Sequence, residues 1–225
     1  MIKLSNRLLS LTKFIEKADN LIDIGCDHAL LGIYLQKNKL VNKVISSDIV
    51  ESAIKGANDN AKKYKESIDI RLGDGLEVIS DKDNINTILI SGMGYFKIKQ
   101  ILKKCKLKNI NKIIIQTNSK DYDIRKYITS LDYYIKEESI IKEKHIYYTN
   151  IMFIKGFKKY SIKELLFGPY LLNNKDKVFY EYIDNKIKQT KILLNIIPKS
   201  YIILRLKKRI YIKMLKSVLI SDNHN

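Results

Sequence analysis

Apolar residues recur along this chain with two different periods. Leu4, Leu8, Leu11 and Ile15 fall at helical spacing and predict a first helix over residues 4–17. A short apolar run over 21–24 ends at Gly25 and reads as a buried strand. The alternation continues with a helix over 29–36, a strand over 43–47 with Asp48 at its end, a helix over 50–65 and a strand over 68–72. A strand over 85–90, a basic helix to about Lys104, a strand over 112–115 and a helix over 122–131 follow. Strands alternating with helices predict an α/β fold: a parallel sheet with helices on both faces.

The rhythm changes after residue 132. Residues 133–141 and 145–154 are β-rich runs with no helix between them, read as an antiparallel pair that closes the sheet. A third region begins near Tyr160, and Phe167-Gly168-Pro169 breaks the chain. Residues 174–218 return to helical spacing, interrupted by Pro198. Phe179, Ile183, Ile187 and Leu194 form one stripe; Ile203, Leu206, Ile210, Met214 and Val218 form another. Two antiparallel helices turning near Pro198 would bury one stripe against the other as a C-terminal, coiled-coil-like α-helical hairpin. A single helix kinked at Pro198 is the alternative. The expected division is a catalytic domain over 1–158 and the hairpin over 159–225.

Composition sets limits on this picture. Hydrophobic residues make up 45% of the chain, enough to pack one large domain with an appendage. No apolar run reaches membrane-spanning length, and the opening MIKLSNRLLSLTK lacks a signal peptide's apolar block and cleavage site. Cys26 and Cys105 form no paired motif, so neither a disulfide framework nor a metal site is expected. The expectation is a cytoplasmic protein with no membrane and no metal partner. The oligomeric state is left open, a monomer being the simplest case.

The chemistry gathers at the ends of the strands. Asp23-Ile24-Gly25-Cys26-Asp27-His28-Ala29 ends one strand and opens a helix, and a glycine there lets the backbone turn sharply and approach a ligand. Asp48 ends the next strand, where an acid accepts hydrogen bonds from ribose hydroxyls, and Ile49 follows it. Gly73-Asp74-Gly75 and Gly92-Met93-Gly94 end two more strands. Ligands of such sheets bind outside the carboxyl ends of the strands, so these segments converge on one crevice. A dinucleotide enzyme would carry G-x-G-x-x-G there to cradle a pyrophosphate, but this chain has Asp27 at the second glycine position. A carboxylate repels phosphate and suits a sulfonium, so S-adenosylmethionine is the expected cofactor. Taken singly, each residue has an ordinary use. Asp27 can cap the following helix, His28 can be structural, and Gly92 and Gly94 can be turn residues.

In this order, the motif that starts at Asp23, then Gly73-Asp74-Gly75-Leu76, Gly92-Met93-Gly94 and Phe167-Gly168-Pro169 resemble the bacterial tRNA adenine-22 N1-methyltransferases, the TrmK family. The resemblance covers nearly the whole chain. It implies a Rossmann-like class I methyltransferase fold, S-adenosylmethionine as donor and adenine N1 in the tRNA D-arm as acceptor. The chain departs from the family pattern at Leu30-Leu31-Gly32, where Tyr-Leu-Pro is usual, at Tyr95 in place of a glycine, at Thr117 in place of a proline, and at Asp48 in place of a frequent glutamate.

Adenine N1 already carries a lone pair, so the enzyme's task is to hold it in line with the methyl group. Methylation leaves positive charge on the base, which a carboxylate would stabilise. Asp27 is the catalytic candidate and His28 a second. Ser91 to Gly94 and Gln116 to Asn118 would frame the base, with Tyr95, Phe96 or Tyr122 as stacking candidates. The cofactor set is Asp23, Gly25, Cys26, Asp48, Ile49, Gly73, Asp74, Gly75, Gly92, Met93 and Gly94. The net charge of +18 has two readings, a nucleic-acid partner or the Lys, Ile, Asn and Tyr bias of an AT-rich genome. Placement bears on the choice. Residues 84–120 hold eight lysines and residues 185–221 ten cations, and neither stretch contains an acid. Such stretches suit a phosphate-facing surface, with Lys207, Lys208 and Arg209 as tRNA contacts. A membrane surface is a weaker use of the same basic hairpin. A methyltransferase for another RNA or a small molecule, and a non-catalytic RNA-binding protein on this fold, are the remaining alternatives.

Overall fold

The structure is a computed structural model and describes residues 2–104 and 107–220. Cys105, Lys106 and Ser221, which the sequence reading included, lie outside the described residues. Seven strands run as β1 (Asn20–Ile24), β2 (Lys43–Asp48), β3 (Asp69–Leu72), β4 (Thr87–Ser91), β5 (Lys112–Thr117), β6 (Tyr133–Glu143) and β7 (Ile146–Lys155). They form one sheet in the order β3-β2-β1-β4-β5-β7-β6. The first five are parallel, and the β6–β7 hairpin joins antiparallel to β5. Apolar residues drive the central strands inward on both faces, as a parallel sheet between helices requires: Ile22, Leu89, Ile113 and Ile114 are all buried. Strand order reverses between β1 and β4, the switch point where such sheets open a crevice. Ile24 pairs with Ser47 on one side and Ile90 on the other, so Gly25, Asp48 and Ser91 come level at that opening.

The helices are α1 (Asn6–Leu11), α2 (Leu30–Lys37), α3 (Glu51–Tyr64), α4 (Tyr95–Lys103), α5 (Asp121–Thr129), α6 (Ile162–Phe167), α7 (Pro169–Asn173), α8 (Lys177–Ile196) and α9 (Ile202–Ile220). The first helix is shorter than the apolar spacing suggests. Ser5 takes the cap position, accepting a hydrogen bond from Leu8 N, and the chain tightens into a 3₁₀ turn over Thr12–Phe14. Among the described residues, no helix is long and apolar enough to cross a membrane.

The chain divides into two compact units, Met1–Tyr170 and Leu171–Asn225, rather than at residue 158. The reason lies in a buried ion pair. Arg125 on α5 donates from Nε to Glu138 on β6 at 2.7 Å, with both side chains buried. Its Nη1 donates to the carbonyls of Leu165 and Leu166, so α6 is held to the first unit. Glu138 also accepts from the backbone N–H of Tyr170. Gly168, at φ +88°, lies against this pair: a Cβ there would sit 2.5 Å from Glu138 Oε2. The Phe167-Gly168-Pro169 segment is therefore a lid over a buried charge.

In the second unit α8 and α9 pack on each other, with Lys175 reaching Val218 O near their base and Arg205 capping Leu194 O and Ile197 O near the turn. That pairing makes them antiparallel. Phe179, Ile183 and Ile187 are buried as their spacing predicts. The expected α9 stripe is not. Only Leu215 and Val218 of α9 are buried, while Ile203, Leu206 and Ile210 are exposed. A two-helix seam covers a narrow face of each helix, so an apolar stripe alone does not guarantee cover.

Arg125→Ala should destabilise the protein by about 3–5 kcal/mol, because it leaves Glu138 buried without its charge partner. Urea unfolding measures this, and Arg125→Met with Glu138→Leu should lose much less than the single variant.

Candidate functional site

Two clefts open at the switch point and meet. The first, of about 280 Å³, is lined by Arg7, Leu8, Asp23, Gly25, Cys26, Asp27, His28, Leu30, Leu31, Ser91 and Gly92. The second, of about 260 Å³, is lined by Arg7, Gly92, Met93, Gln116, Thr117, Asn118 and Tyr148. Arg7 and Gly92 belong to both, so the clefts are two arms of one crevice.

The first arm is built by the turn out of β1. Gly25 and Cys26 both donate backbone hydrogen bonds to Ser47 O on β2, at 2.8 and 3.0 Å. Gly25 has φ +74°, and a Cβ there would overlap the methyl group of Met93. Asp27 and Ala29 also take left-handed backbone, at φ +53° and +52°. Such backbone is strained for residues with a Cβ and is retained where a turn is over-determined. Asp48 orders the turn, accepting from Asp27 N at 3.1 Å and from Val50 N at 3.0 Å. Ile49 is left exposed just beyond it.

Asp27 does not cap α2: the cap residue is Ala29, and no side chain bonds to that helix end. Its carboxylate is 76% exposed and stands 3.6 Å from His28 Nε2. Asp23 is buried at the floor. Its burial, reinforced by the nearby Asp48 carboxylate and opposed by Arg7, pushes its pKa up to about 7. Burial and the same carboxylates push the Cys26 thiol up, so Cys26 presents a neutral, apolar sulfur.

The second arm is held by a polar network that periodicity does not reveal. Gln116 is fully buried, accepting from Arg7 Nη1 at 2.8 Å and donating to Arg7 O at 3.0 Å and Asn150 Oδ1 at 2.6 Å. Asn150 in turn donates to Ser10 Oγ and Ser139 Oγ. The carboxamide of Gln116 thus anchors α1 and is spent on it. Thr117, where the family pattern has a proline, folds its hydroxyl back to Ser119 and shapes the same turn by hydrogen bonds. Asn118 remains exposed at the mouth.

Other expected contacts turn away from the crevice. Asp74 pairs with Lys104 at 2.8 Å and Lys97 at 3.6 Å, and its hydrogen bond to Lys104 leads in lowering its pKa. Asp74 lines neither arm, and nor do Gly73, Gly75 and Gly94. Tyr95 is half-buried, edge-on to Tyr127 with ring centroids 6.4 Å apart, and packs against the core. Tyr148 on β7 lines the second arm instead, with the Arg7 guanidinium 5.4 Å from its ring centroid. Arg7 and Tyr148 are the residues that the sequence reading missed. Arg7 is one cation in a basic chain and Tyr148 one tyrosine among fifteen, so neither stands out without the fold.

Both arms lie under strand ends in a sheet of order 3-2-1-4-5-7-6, and the sequence profile of the tRNA (adenine(22)-N(1))-methyltransferases, TrmK, matches residues 21–217. The chain belongs to the TrmK family. A Bacillus subtilis tRNA (adenine(22)-N(1))-methyltransferase is 30% identical over 199 residues, covering 84% of this chain and 83% of its own. The Mycoplasma capricolum TrmK, solved with S-adenosyl-homocysteine, is 31% identical at a TM-score of 0.85, with 95% and 96% of the two chains covered. A Streptococcus pneumoniae relative solved with S-adenosyl-L-methionine is 28% identical at a TM-score of 0.88, covering 96% of this chain and all of its own. Family membership makes this chain a class I, S-adenosylmethionine-dependent methyltransferase.

Asp23 should make the stability of this TrmK-family chain depend on pH. Its folded pKa lies above its ordinary 3.8, so between about pH 4 and 7 the folded state holds the extra proton. Its contribution is full below pH 4 and falls as pH rises to 7, by at most about 1.4 kcal/mol per pH unit. Denaturant titrations at pH 5 and 8 should show Asp23→Asn stabilising the protein relative to wild type by clearly more at pH 8 than at pH 5.

Proposed function

We propose that this protein transfers the methyl group of S-adenosylmethionine to N1 of adenine 22 in tRNA, in the cytoplasm. The observation that carries the reading is the single crevice with two dissimilar arms. The first arm holds Asp23 and Asp27 and no cradle for phosphate, which suits a sulfonium and an ammonium group. The turn at Gly25 leaves room for a ligand against the backbone. Arg7 is placed to take the ligand's carboxylate, Asp48 its ribose hydroxyls, and the exposed Ile49 its adenine.

S-adenosylmethionine supplies a methyl group on a cationic sulfur, already activated for transfer. The protein's work is positional. The second arm receives the target base between the 92–93 and 116–118 turns, with Tyr148 as an aromatic wall. Adenine N1 carries no proton, so no base is needed to expose its lone pair. Positive charge spreads onto the base as the bond forms, and the second arm contains no carboxylate. Asp27 is the acid that can meet this charge, since it is exposed and not consumed as a helix cap. His28 beside it is the partner that orients its carboxylate.

The test is direct. Wild-type protein with radiolabelled donor and transcribed tRNA should label N1 of adenine 22, and a transcript with guanine at that position should take no label. In single-turnover reactions at saturating donor and tRNA, Asp27→Ala should slow the step on the order of 10²-fold while tRNA affinity holds. An unchanged rate removes Asp27 from the chemistry.

The basic second unit is read as the grip on the tRNA body. Lys207 and Arg209 are exposed and Lys208 partly so. Filter binding over a salt series should give a steep slope of log affinity against log salt, each phosphate contact adding roughly 0.7–0.9. Reversing Lys207, Lys208 and Arg209 to Glu should flatten that slope. A shallow wild-type slope that the reversal leaves alone points to a small-molecule acceptor.

A further inference from the structure

The acid-free stretch over 84–120 does not act as one phosphate-facing surface. Lys97 and Lys104 pair with Asp74, and Lys112 is buried, donating to Asp19 at 2.9 Å. Lys99 and Lys120 are used differently: each stands over aromatic rings, and neither has a carboxylate partner among the described residues. Lys120 Nζ lies 4.1 Å from the centroid of the Phe96 ring. Phe96 is 70% exposed on the first turn of α4, while its neighbour Tyr95 packs inward and meets it at a tilted 5.3 Å.

Each member of this pair follows, within a few residues, a segment that lines the second arm. Phe96 follows Gly92 and Met93, and Lys120 follows Thr117 and Asn118, all of which line that arm. The space beside Gly94, two residues before Phe96, is open, since a Cβ there would meet nothing within 4 Å. Gly94 is also the cap of α4, and no side chain bonds to that helix end, beside the same open space. An exposed large aromatic ring, a cation without an acid and an uncapped helix start fit one kind of ligand. A nucleotide offers a flat π-face for the ring and a phosphate for the cations.

We propose that Phe96 and Lys120 form a second nucleotide subsite on the rim of the acceptor arm, taking the nucleotide next to the target adenine. Its base stacks on the Phe96 ring, and its phosphate pairs with Lys120 and the start of α4. The proposal rests on the tRNA reading of the acceptor arm. A base drawn into a pocket must leave its stack, and holding its neighbour against an aromatic ring offsets part of the lost stacking. Phe96 is a positioning residue and does not touch the reacting atoms.

The test uses the full-length protein and tRNA assembled with 2-aminopurine beside adenine 22, in separate preparations on its 5′ and 3′ sides. Wild-type protein should quench the fluorescence of one of the two on binding. Phe96→Ala and Phe96→Leu should both lose that quench and raise the KM for tRNA on the order of tenfold, with a smaller effect on kcat. Phe96→Trp should keep the quench and the wild-type KM, and donor affinity by calorimetry should match in all three. Leucine retains apolar bulk without a stacking face, so wild-type quench and KM in Phe96→Leu overturn the subsite. A quench on neither side in the wild type overturns it too, even while adenine 22 is methylated. A wild-type protein that neither binds nor methylates tRNA sinks the parent reading and the subsite with it, and this control is read before any variant.

Discussion

At Gly25 the end of β1 passes so close to Met93 that the methionine methyl group occupies the space where a Cβ would stand. That approach sets the geometry of the crevice. It brings the turn after β1 against the turn after β4, across the strand-order reversal, and leaves Gly92 between the two arms. With a side chain at position 25, Met93 would have to move, and Met93 lines the acceptor arm. The geometries of the two arms are therefore coupled through this van der Waals contact as well as through Arg7 and Gly92, which line both. A methyl transfer needs its two reacting atoms fixed together and in line, and such a contact provides that stiffness.

The electrostatics of the crevice follow from which charges are buried. Asp23 is buried on the floor close to Asp48, and its burial, reinforced by that neighbouring carboxylate, raises the cost of ionising it. Arg7 opposes that cost from above while also tying its backbone to Gln116. The guanidinium thus serves as counter-ion to the donor arm and strut of the acceptor arm, and α1 is the element that carries it. A cation entering the donor arm would complete the charge balance that Arg7 leaves partial; a phosphate would worsen it. This is the physical content of Asp27 standing where dinucleotide enzymes have glycine.

What the sequence made legible was periodic or punctuated. The strands are buried on both faces and read as apolar runs, and their ends carry the glycines and acids that mark the site. The family motifs preserve those ends, and the structure brings Gly25 and Gly92 to the crevice with Asp48 ordering the turn beside it. Gln116 lines the second arm and also anchors α1 through Arg7, a use that its place in the sequence does not reveal. Arg7 and Tyr148 come from α1 and β7, far from the motifs in sequence, and meet only because β7 inserts beside β5. The unit boundary moved from 158 to 170 because a buried ion pair holds α6, and a salt bridge between α5 and β6 has no sequence period. The α9 stripe failed in the opposite sense, since spacing shows which residues share a face and not whether anything covers that face.

The net charge of +18 needs the same separation of amount from placement. Arg71 is held between Asp69 and Asp83, Lys112 by Asp19, Arg125 by Glu138, and Arg205 is spent on the carbonyls that end α8. These cations stabilise the fold and do little to select a partner. A long-range field counts every charge and steers a polyanion toward the surface, whichever lysines supply it. Register on that polyanion depends on a few cations in fixed positions beside something that reads shape. Lys99 and Lys120, which have no carboxylate partner among the described residues, lie over aromatic rings, as the Arg7 guanidinium lies over Tyr148. An AT-rich genome accounts for how many lysines the chain has, but it does not account for Lys99 and Lys120 standing over the rings of Tyr95, Phe96 and Tyr127.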